Sequence, residues 1–366
     1  MILSNPIMVD PRVHKEAKAL IEKGHKVTVI VWDKRREFKE KVVDKIRIER
    51  VFNKGLMKIL PNDIIKNPLW WRKAYKKAMD LYNKDFHFDA VHCHDLDTLY
   101  IGVKLKKKLG IKLVYDAHEI YGIMIKDKHK ILSKFAVYLE GKLLPHVDQI
   151  ITIDEPFEKY YKKKFKKKIT IVMNCKDLVY EKYEKTSNDI FTIIYIGIMA
   201  KKRFFPEIIE IVGNLEGVKL ILAGKKELLY EEMKELSKKY KNVEFLGTVP
   251  TKDILPLTRK SDVTFVLIDT KGQTRMNVFN KQFEAMVCGR PILITKGTYA
   301  AEMTEKLKCG LSIEFKKESV EKAIISLRDN PKKAIELGKN AFDAAKTKYN
   351  WEKEKTKLIE VYEDLK

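Results

Sequence analysis

The chain carries 366 residues, of which 45% are hydrophobic, 10% aromatic and 34% charged. These are globular values, sufficient for two domains with separate cores, and they exclude a disordered chain or a small disulfide-stapled scaffold. The formal net charge of +23 predicts an anionic partner: a membrane surface, lipid phosphate or nucleic acid.

The excess of base is uneven. Residues 1–175 hold 38 Lys+Arg against 22 Asp+Glu, and the remainder holds 36 against 29, so the anionic partner is expected on the first half. Gln occurs three times while Lys and Glu abound. That is the composition of a thermophile, in which a solvated lysine coat accounts for the same charge. Cys93, Cys175, Cys288 and Cys309 form no CxxC pair and read as reduced thiols. The longest apolar runs, such as Val27–Trp32, are far too short to span a bilayer, and the opening MILSNP lacks a charged segment followed by an apolar core. The expectation is a cytoplasmic protein, soluble or peripheral on the inner face of the membrane.

Met1–Ser4 reads as a short strand. Pro11–Lys23 carries Val13, Ala17 and Leu20 at helical spacing before Gly24 stops it, and Val27–Trp32 resumes as strand, a βαβ unit. Further strands are predicted at Ile46–Phe52, Ala90–His92, Lys112–Tyr115, Gln149–Ile153 and Ile169–Met173, with helices near 68–83, 97–109, 131–144 and 155–164. A polar connector, Lys176–Asp189, follows Cys175 and is the expected linker. A second alternating series runs through strands Phe191–Ile196, Val218–Ala223, Val243–Leu246 and Val263–Ile268, with helices Pro206–Asn214, Glu227–Tyr240 and Lys252–Thr258. A strand near Leu311–Phe315 and helices to the end complete it. Two doubly wound domains predict a crevice at the carboxyl ends of two parallel sheets, where ligands bind.

Those carboxyl ends hold the polar residues. Leu113–Glu119, LVYDAHE, is a buried strand from which Asp116, His118 and Glu119 emerge, and Asp89–Asp95, DAVHCHD, puts His92 and His94 on one face. This HxH with Asp95 is a weak zinc pattern, and hydrogen-bonded histidines at a sheet edge account for it better. No GxGxxG, GxxxxGK[ST] or GxSxG occurs, which weighs against dinucleotide oxidoreductases and P-loop enzymes. In the second half, YIGIMAKKR ends a strand in a glycine turn and sets Lys201, Lys202 and Arg203 at the sheet mouth. The stretch Asn277–Thr295, NVFNKQFEAMVCGRPILIT, reads as a helix capped by Asn277 or Asn280 and closed by Gly289, with Phe283, Met286 and Val287 on one face. Its first turn suits a diphosphate, and Glu284, one turn deeper, suits the two hydroxyls of a ribose. The same spacing also lets Glu284 pair with Lys281.

Ile59–Lys84 carries Leu69, Trp70, Trp71, Tyr75 and Tyr82 among Arg72, Lys73, Lys76 and Lys77, with a second basic segment at Lys159–Lys168. Aromatics beside lysines on a helix suit the headgroup layer of an anionic membrane. The alternative is that the tryptophans are core and the lysines a solvated face.

In order along the chain, DPRVHKEAKALIEKGHKV, DAVHCHD, LVYDAHE, ITIDEPFEKYY, YIG with its basic turn, VEFLGTVP, LTRKSDV, FEAMVCGRPIL and YNWEKE resemble glycosyltransferase family 4, the retaining nucleotide-sugar-dependent enzymes. The resemblance implies an α/β GT-B fold, two doubly wound Rossmann-like domains facing across a cleft that closes before chemistry. Residues 1–175 would form the acceptor-side domain and 176–366 the nucleotide-sugar-binding domain, with the last helix (350–366) packing back on the first. The implied reaction moves a hexose from a nucleoside-diphosphate sugar, a UDP-sugar by preference, to an acceptor hydroxyl, lipid-linked or of an envelope glycan, without cofactor or metal and without nucleic acid. By position, His118 matches the active-site histidine beside the donor sugar, Glu284 the ribose carboxylate and Arg203 a diphosphate contact. Arg259 matches an arginine near the base, and Asn280 and Lys281 an NK pair. Gly197, Lys202, Asn277 and Phe279 fall in the implied donor site, and Arg12, His94, Asp95 and Glu119 on the implied acceptor side. Two positions depart: Met276 stands where the family often has glutamate, and Ile198 where it often has arginine, so either Lys201 or Lys202 takes over part of the diphosphate grip or the chain is a divergent or impaired member. Two other classes stay open, a nucleotide-sugar epimerase of the same architecture and a basic non-enzymatic binder of anionic lipid or nucleic acid.

Overall fold

The computed structural model describes residues 1–6, 10–34, 40–60, 63–84, 86–127 and 129–365, without the side chains of 63 and 64. The chain divides into two units, Met1–Met173 with Glu354–Lys366, and Asn174–Lys353.

The first unit runs β1 (Ile2–Leu3), α1 (Pro11–Glu22), β2 (Thr28–Asp33), β3 (Val42–Val43), β4 (Ile46–Phe52), α2 (Asp63–Lys84), β5 (Ala90–His94), α3 (Leu96–Leu109), β6 (Lys112–Ala117), α4 (Tyr121–Met124), α5 (Lys130–Leu143), β7 (Gln149–Thr152), α6 (Glu155–Lys162) and β8 (Ile169–Ile171). Among the described residues the strand order is β3-β4-β2-β1-β5-β6-β7-β8, parallel apart from the β3–β4 pair. The order reverses between β1 and β5, the point at which a doubly wound sheet opens a crevice. Every residue of β2, TVIVWD, is buried, as expected of a parallel strand covered on both faces. Helix α1 begins where Asp10 accepts the N–H of Arg12 at 3.2 Å and Pro11 takes the first helical position.

Helix α2 is the main departure in this unit. Sequence alone starts it near Pro68, where a proline costs least, but the helix extends back to Asp63 with Pro68 inside. Trp70 is fully buried and stacks on Trp32, ring centroids 5.3 Å apart. Trp71 is half-buried and donates its indole N–H to the Asp97 carbonyl at 2.6 Å. Trp70 therefore belongs to the core, and Trp71 is tied to α3 at its edge. In the second basic segment Lys162 pairs with Glu158, Lys164 with Glu140, Lys167 with Asp148 and Lys168 with Asp364, while Lys159, Lys163 and Lys166 are exposed. Pro61 and Asn62, within the stretch read as membrane-facing, lie outside the described residues.

The second unit runs β9 (Phe191–Ile196), α7 (Glu207–Gly213), β10 (Val218–Ala223), α8 (Tyr230–Ser237), β11 (Val243–Gly247), α9 (Ile254–Lys260), β12 (Val263–Val266), α10 (Asn280–Cys288), β13 (Ile292–Thr295), α11 (Tyr299–Leu307), β14 (Gly310–Ile313), α12 (Lys317–Arg328) and α13 (Pro331–Thr347). Its sheet is parallel throughout, in the order β11-β10-β9-β12-β13-β14. This is the dinucleotide-fold order, with its switch point between β9 and β12. Tyr195, Phe205 and Phe265 pack together beneath that point, Tyr195 stacked on Phe265 at 4.8 Å.

Helix α14 (Trp351–Glu363) ends the chain. From Glu354 onward it belongs to the first unit, where Glu354 accepts the Met173 N–H at 2.8 Å and Lys355 pairs with Glu22. All four cysteines are buried free thiols. No helix among the described residues is long and apolar enough to cross a membrane.

Candidate functional site

In the first unit the ends of β5 and β6 and the second turn of α1 bring five titratable side chains together. Asp116 Oδ2 lies 2.6 Å from His118 Nε2, 2.9 Å from His94 Nδ1 and 3.5 Å from His92 Nε2. Glu16 stands 3.8 Å from His92 Nε2 and 3.9 Å from His118 Nε2, and His92 Nδ1 is 2.7 Å from the Tyr362 hydroxyl. All are almost wholly buried. Burial, with His94 beside it, pushes His92 down to about 4. Burial also lowers His94 and His118, in the latter case with Arg12 adding to it. Burial and the Asp116 carboxylate raise Glu16 well above the usual range. Burial alone would raise Asp116 too, but the surrounding imidazoles, His118 first, hold it well below.

These directions favour the ionised form of Asp116 and the neutral forms of Glu16 and the three imidazoles. Glu16, His92, His94 and Asp116 also offer ligand atoms within 4.8 Å of one another, a donor set chemically suited to a divalent cation. His94 and His118 hydrogen-bond to one Asp116 oxygen at the sheet edge, while His92 Nε2, 3.5 Å away, has no hydrogen-bond partner among the described residues. With Nε2–H assigned to Asp116, His118 is left with Nδ1, a buried atom that has no partner among the described residues. Asp95 holds the turn in place: at φ +63° its Oδ1 accepts the N–H groups of both His118, 3.0 Å, and Glu119, 2.9 Å. Arg12 forms a two-toothed pair with Asp10 at 2.9 and 2.7 Å.

In the second unit Gly197 turns the chain out of β9 into a short turn, Lys201–Arg203. Lys201 and Lys202 are exposed. Arg203 folds inward, Nη1 3.3 Å from the Tyr195 hydroxyl and 3.5 Å from the Ile198 carbonyl. From α10, Lys281 reaches the same spot, its Nζ 4.6 Å from the Tyr195 ring centre. A Cβ at position 197 would lie 2.5 Å from that Nζ, so the glycine is what admits the lysine. Burial, helped by Arg203 and Lys176, brings the Lys281 amine down to about 8 against the pull of Glu284. Among the described residues neither Arg203 nor Lys281 forms an ion pair, while Glu284 pairs with Lys176 at 3.0 Å. Asn277 Oδ1 is buried without a partner. Two uncompensated cations, a Lys–Glu pair and a helix N-terminus make an anion-binding set at the switch point.

Several sequence expectations need correction. Neither Asn277 nor Asn280 caps α10: the cap position is Phe279, extended at φ −109° and ψ 141°, and Asn280 is the first helical residue and exposed. Glu284 takes Lys176 as its ion-pair partner in preference to Lys281, because the lysine side chain turns toward Gly197. Lys201 and Lys202 are exposed, and the lysine seen beside Tyr195 and Gly197 at the end of β9 is Lys281. Arg259 fastens the connector, its guanidinium 3.8 Å over the Tyr180 ring, 2.9 Å from Glu184 and donating to the Lys182 carbonyl at 3.1 Å. Asp10, Glu16, Lys176 and Tyr362 were missed. Glu16 alone left a trace, since it falls on the same helical stripe as Val13, Ala17 and Leu20.

The family model described as Glycosyltransferase Family 4 matches residues 11–179, and the one described as Glycosyl transferases group 1 matches residues 179–344. The chain belongs to glycosyltransferase family 4. This glycosyltransferase has no match among curated protein sequences. Its fold is that of sucrose-phosphate synthase from Thermosynechococcus elongatus, at TM-score 0.79 and 15% identity over 100% of this chain and 98% of that one. It is also that of Anabaena HepE, solved with UDP-glucose, at TM-score 0.72 and 15% identity over 99% and 98%. WaaG, a glycosyltransferase involved in lipopolysaccharide biosynthesis, aligns at TM-score 0.67 and 13% identity over 98% of each chain. These likenesses establish the GT-B architecture, and the family sets aside the epimerase and non-enzymatic readings.

Proposed function

We propose that this glycosyltransferase moves a hexose from a nucleoside-diphosphate sugar, a UDP-sugar by preference, to an acceptor hydroxyl with retention at the anomeric carbon. One observation carries the reading: Arg203 and Lys281 stand without an ion-pair partner among the described residues beside the N-terminus of α10, one turn from Glu284. A diphosphate neutralises the cations, and a ribose placed one turn deeper meets the carboxylate. HepE, of the same fold, has been solved with UDP-glucose, which supports a uridine donor.

In a front-side displacement the bond from the anomeric carbon to the diphosphate breaks as the acceptor oxygen bonds on the same face, and the leaving phosphate oxygen takes the acceptor proton. Negative charge then builds on the diphosphate. Arg203, Lys281 and the α10 N–H groups are placed in advance to stabilise it, so protein cations supply the charge. His118 serves the transferred sugar, and Arg12, His94, Asp95 and Glu119 belong to the acceptor side. The acceptor is lipid-linked or an envelope glycan, met at the cytoplasmic face of the membrane.

Glu284→Ala is expected to weaken binding of the preferred nucleoside diphosphate by roughly 1–3 kcal/mol with the fold intact. Thermal shift identifies that nucleotide, since a ligand at a hundred times its Kd adds about 2.7 kcal/mol. Calorimetry of the variant then decides: unchanged affinity for every nucleotide that the wild type binds would remove Glu284 from the donor site.

A further inference from the structure

Helix α5 has two unlike faces. Ser133, Ala136, Glu140 and Leu143 are buried, and Glu140 accepts hydrogen bonds there from Tyr115, Tyr161 and Lys164. On the opposite face Ile131, Phe135 and Tyr138, at spacing i, i+4 and i+7, are 84%, 55% and 62% exposed. Isolated apolar side chains on a surface are ordinary, but three large ones in register on one helix form a patch that calls for a partner. Lys130, Lys134 and Lys142 are exposed around them, Lys142 with its Nζ 5.6 Å from the Tyr138 ring centre. Glu140 is the only acid in the helix and lies on the buried side, so the outward face holds only cations among its charges.

We infer that this face of α5 docks on an anionic lipid bilayer, with Ile131, Phe135 and Tyr138 entering the headgroup layer and Lys130, Lys134 and Lys142 meeting lipid phosphates. Charge selects this occupant. A second copy of the chain laid face to face would oppose lysine to lysine, whereas lipid phosphate neutralises the cations and leaves the apolar tips to the acyl boundary. The base excess of residues 1–175 adds attraction at longer range. α5 takes the place of α2, whose Trp70 is spent on the core and whose Trp71 is tied to α3. The inference rests on the exposed face and not on the transferase reading, which nucleotide binding tests without any vesicle.

The test is co-sedimentation of the full chain with phosphatidylcholine vesicles, with and without phosphatidylglycerol. Wild type is expected to pellet only with the anionic vesicles, and less as salt rises. K130E/K134E/K142E should lower the partition coefficient at least about a hundredfold, each lysine near an anionic surface counting for several-fold. I131S/F135S/Y138S, which keeps every charge, should lower it about tenfold or more. Both variants should melt with wild type and bind nucleoside diphosphate equally well. In addition, Phe135→Trp should add a blue-shifted emission component on anionic vesicles. Absence of pelleting on both vesicle types would overturn the inference, as would wild-type binding by the serine variant. Self-association of wild type that the serine variant abolishes would equally overturn it, in favour of a second copy.

Discussion

His118→Ala is expected to lower sugar-transfer turnover by roughly a hundred- to a thousandfold while nucleoside diphosphate affinity changes little. Burial and Arg12 keep the imidazole neutral, and Asp116 fixes Nε2 at 2.6 Å. Nδ1 has no partner among the described residues, and an unpaired buried nitrogen costs stability that a passive role would not justify. A polar group of the transferred sugar would satisfy it, and a contact made to the sugar and strengthened in the transition state appears in kcat more than in nucleotide binding. The competing view makes His118 a strut, since its backbone N–H is tied to Asp95 and its ring to Asp116. Alanine keeps the backbone bond and loses the ring contact. If the variant melts earlier and its turnover merely tracks the folded fraction, the strut view wins; a near-normal melting temperature with collapsed turnover places His118 on the sugar.

Much of this fold could be read from local signals. β9 and β13 coincide with their apolar runs because parallel strands covered on both faces are continuous apolar blocks bounded by turn formers, and β4, IRIERVF, with its partial alternation, is also found where expected. Helix ends were less legible: α8 shrinks to Tyr230–Ser237 and α2 grows past Pro68, as packing outweighs intrinsic preference. The two-residue β3 has too little length to leave a pattern.

The site was legible where function sits at strand ends and obscure where it depends on distant pairing. His94, Asp116 and His118 follow from strands that end in polar residues. Glu16 is 3% exposed among apolar neighbours, and only the fold reveals the histidines that justify burying it. Asp95 is named by sequence, but its grip on two N–H groups depends on a left-handed backbone that no neighbouring residue announces. Lys176 sits in a polar connector and becomes meaningful only once Glu284 is seen 3.0 Å away. The aromatic lysine-rich stretch of α2 and the plainer one of α5 look alike in period. Which of the two is exposed depends on Trp32, a long way off in sequence, stacking on Trp70.

Lys281→Met is expected to raise the melting temperature of the unliganded protein and at the same time weaken nucleoside diphosphate binding by roughly 1.5–3 kcal/mol, the worth of a hydrogen bond to a charged group. The amine is held at about 8, down from 10.5. Between those values the unfolded chain carries the extra proton, so stability climbs with pH across that window, and below it the confined cation is a constant penalty that methionine removes. A bound diphosphate supplies the missing counter-charge and raises the amine's pKa. Wild-type affinity should therefore be full below about pH 8 and fall as pH rises through it, because the free protein has lost a proton that the complex must take up. The phosphate itself is already ionised there, with its last pKa near 6, and contributes no slope. Titration calorimetry between pH 7 and 9, in buffers of different ionisation enthalpy, should count up to one proton taken up by wild type and none by Lys281→Met. An amine that only props the Tyr195 ring would behave otherwise. Its replacement would lower the melting temperature, and nucleotide affinity and its pH dependence would match wild type.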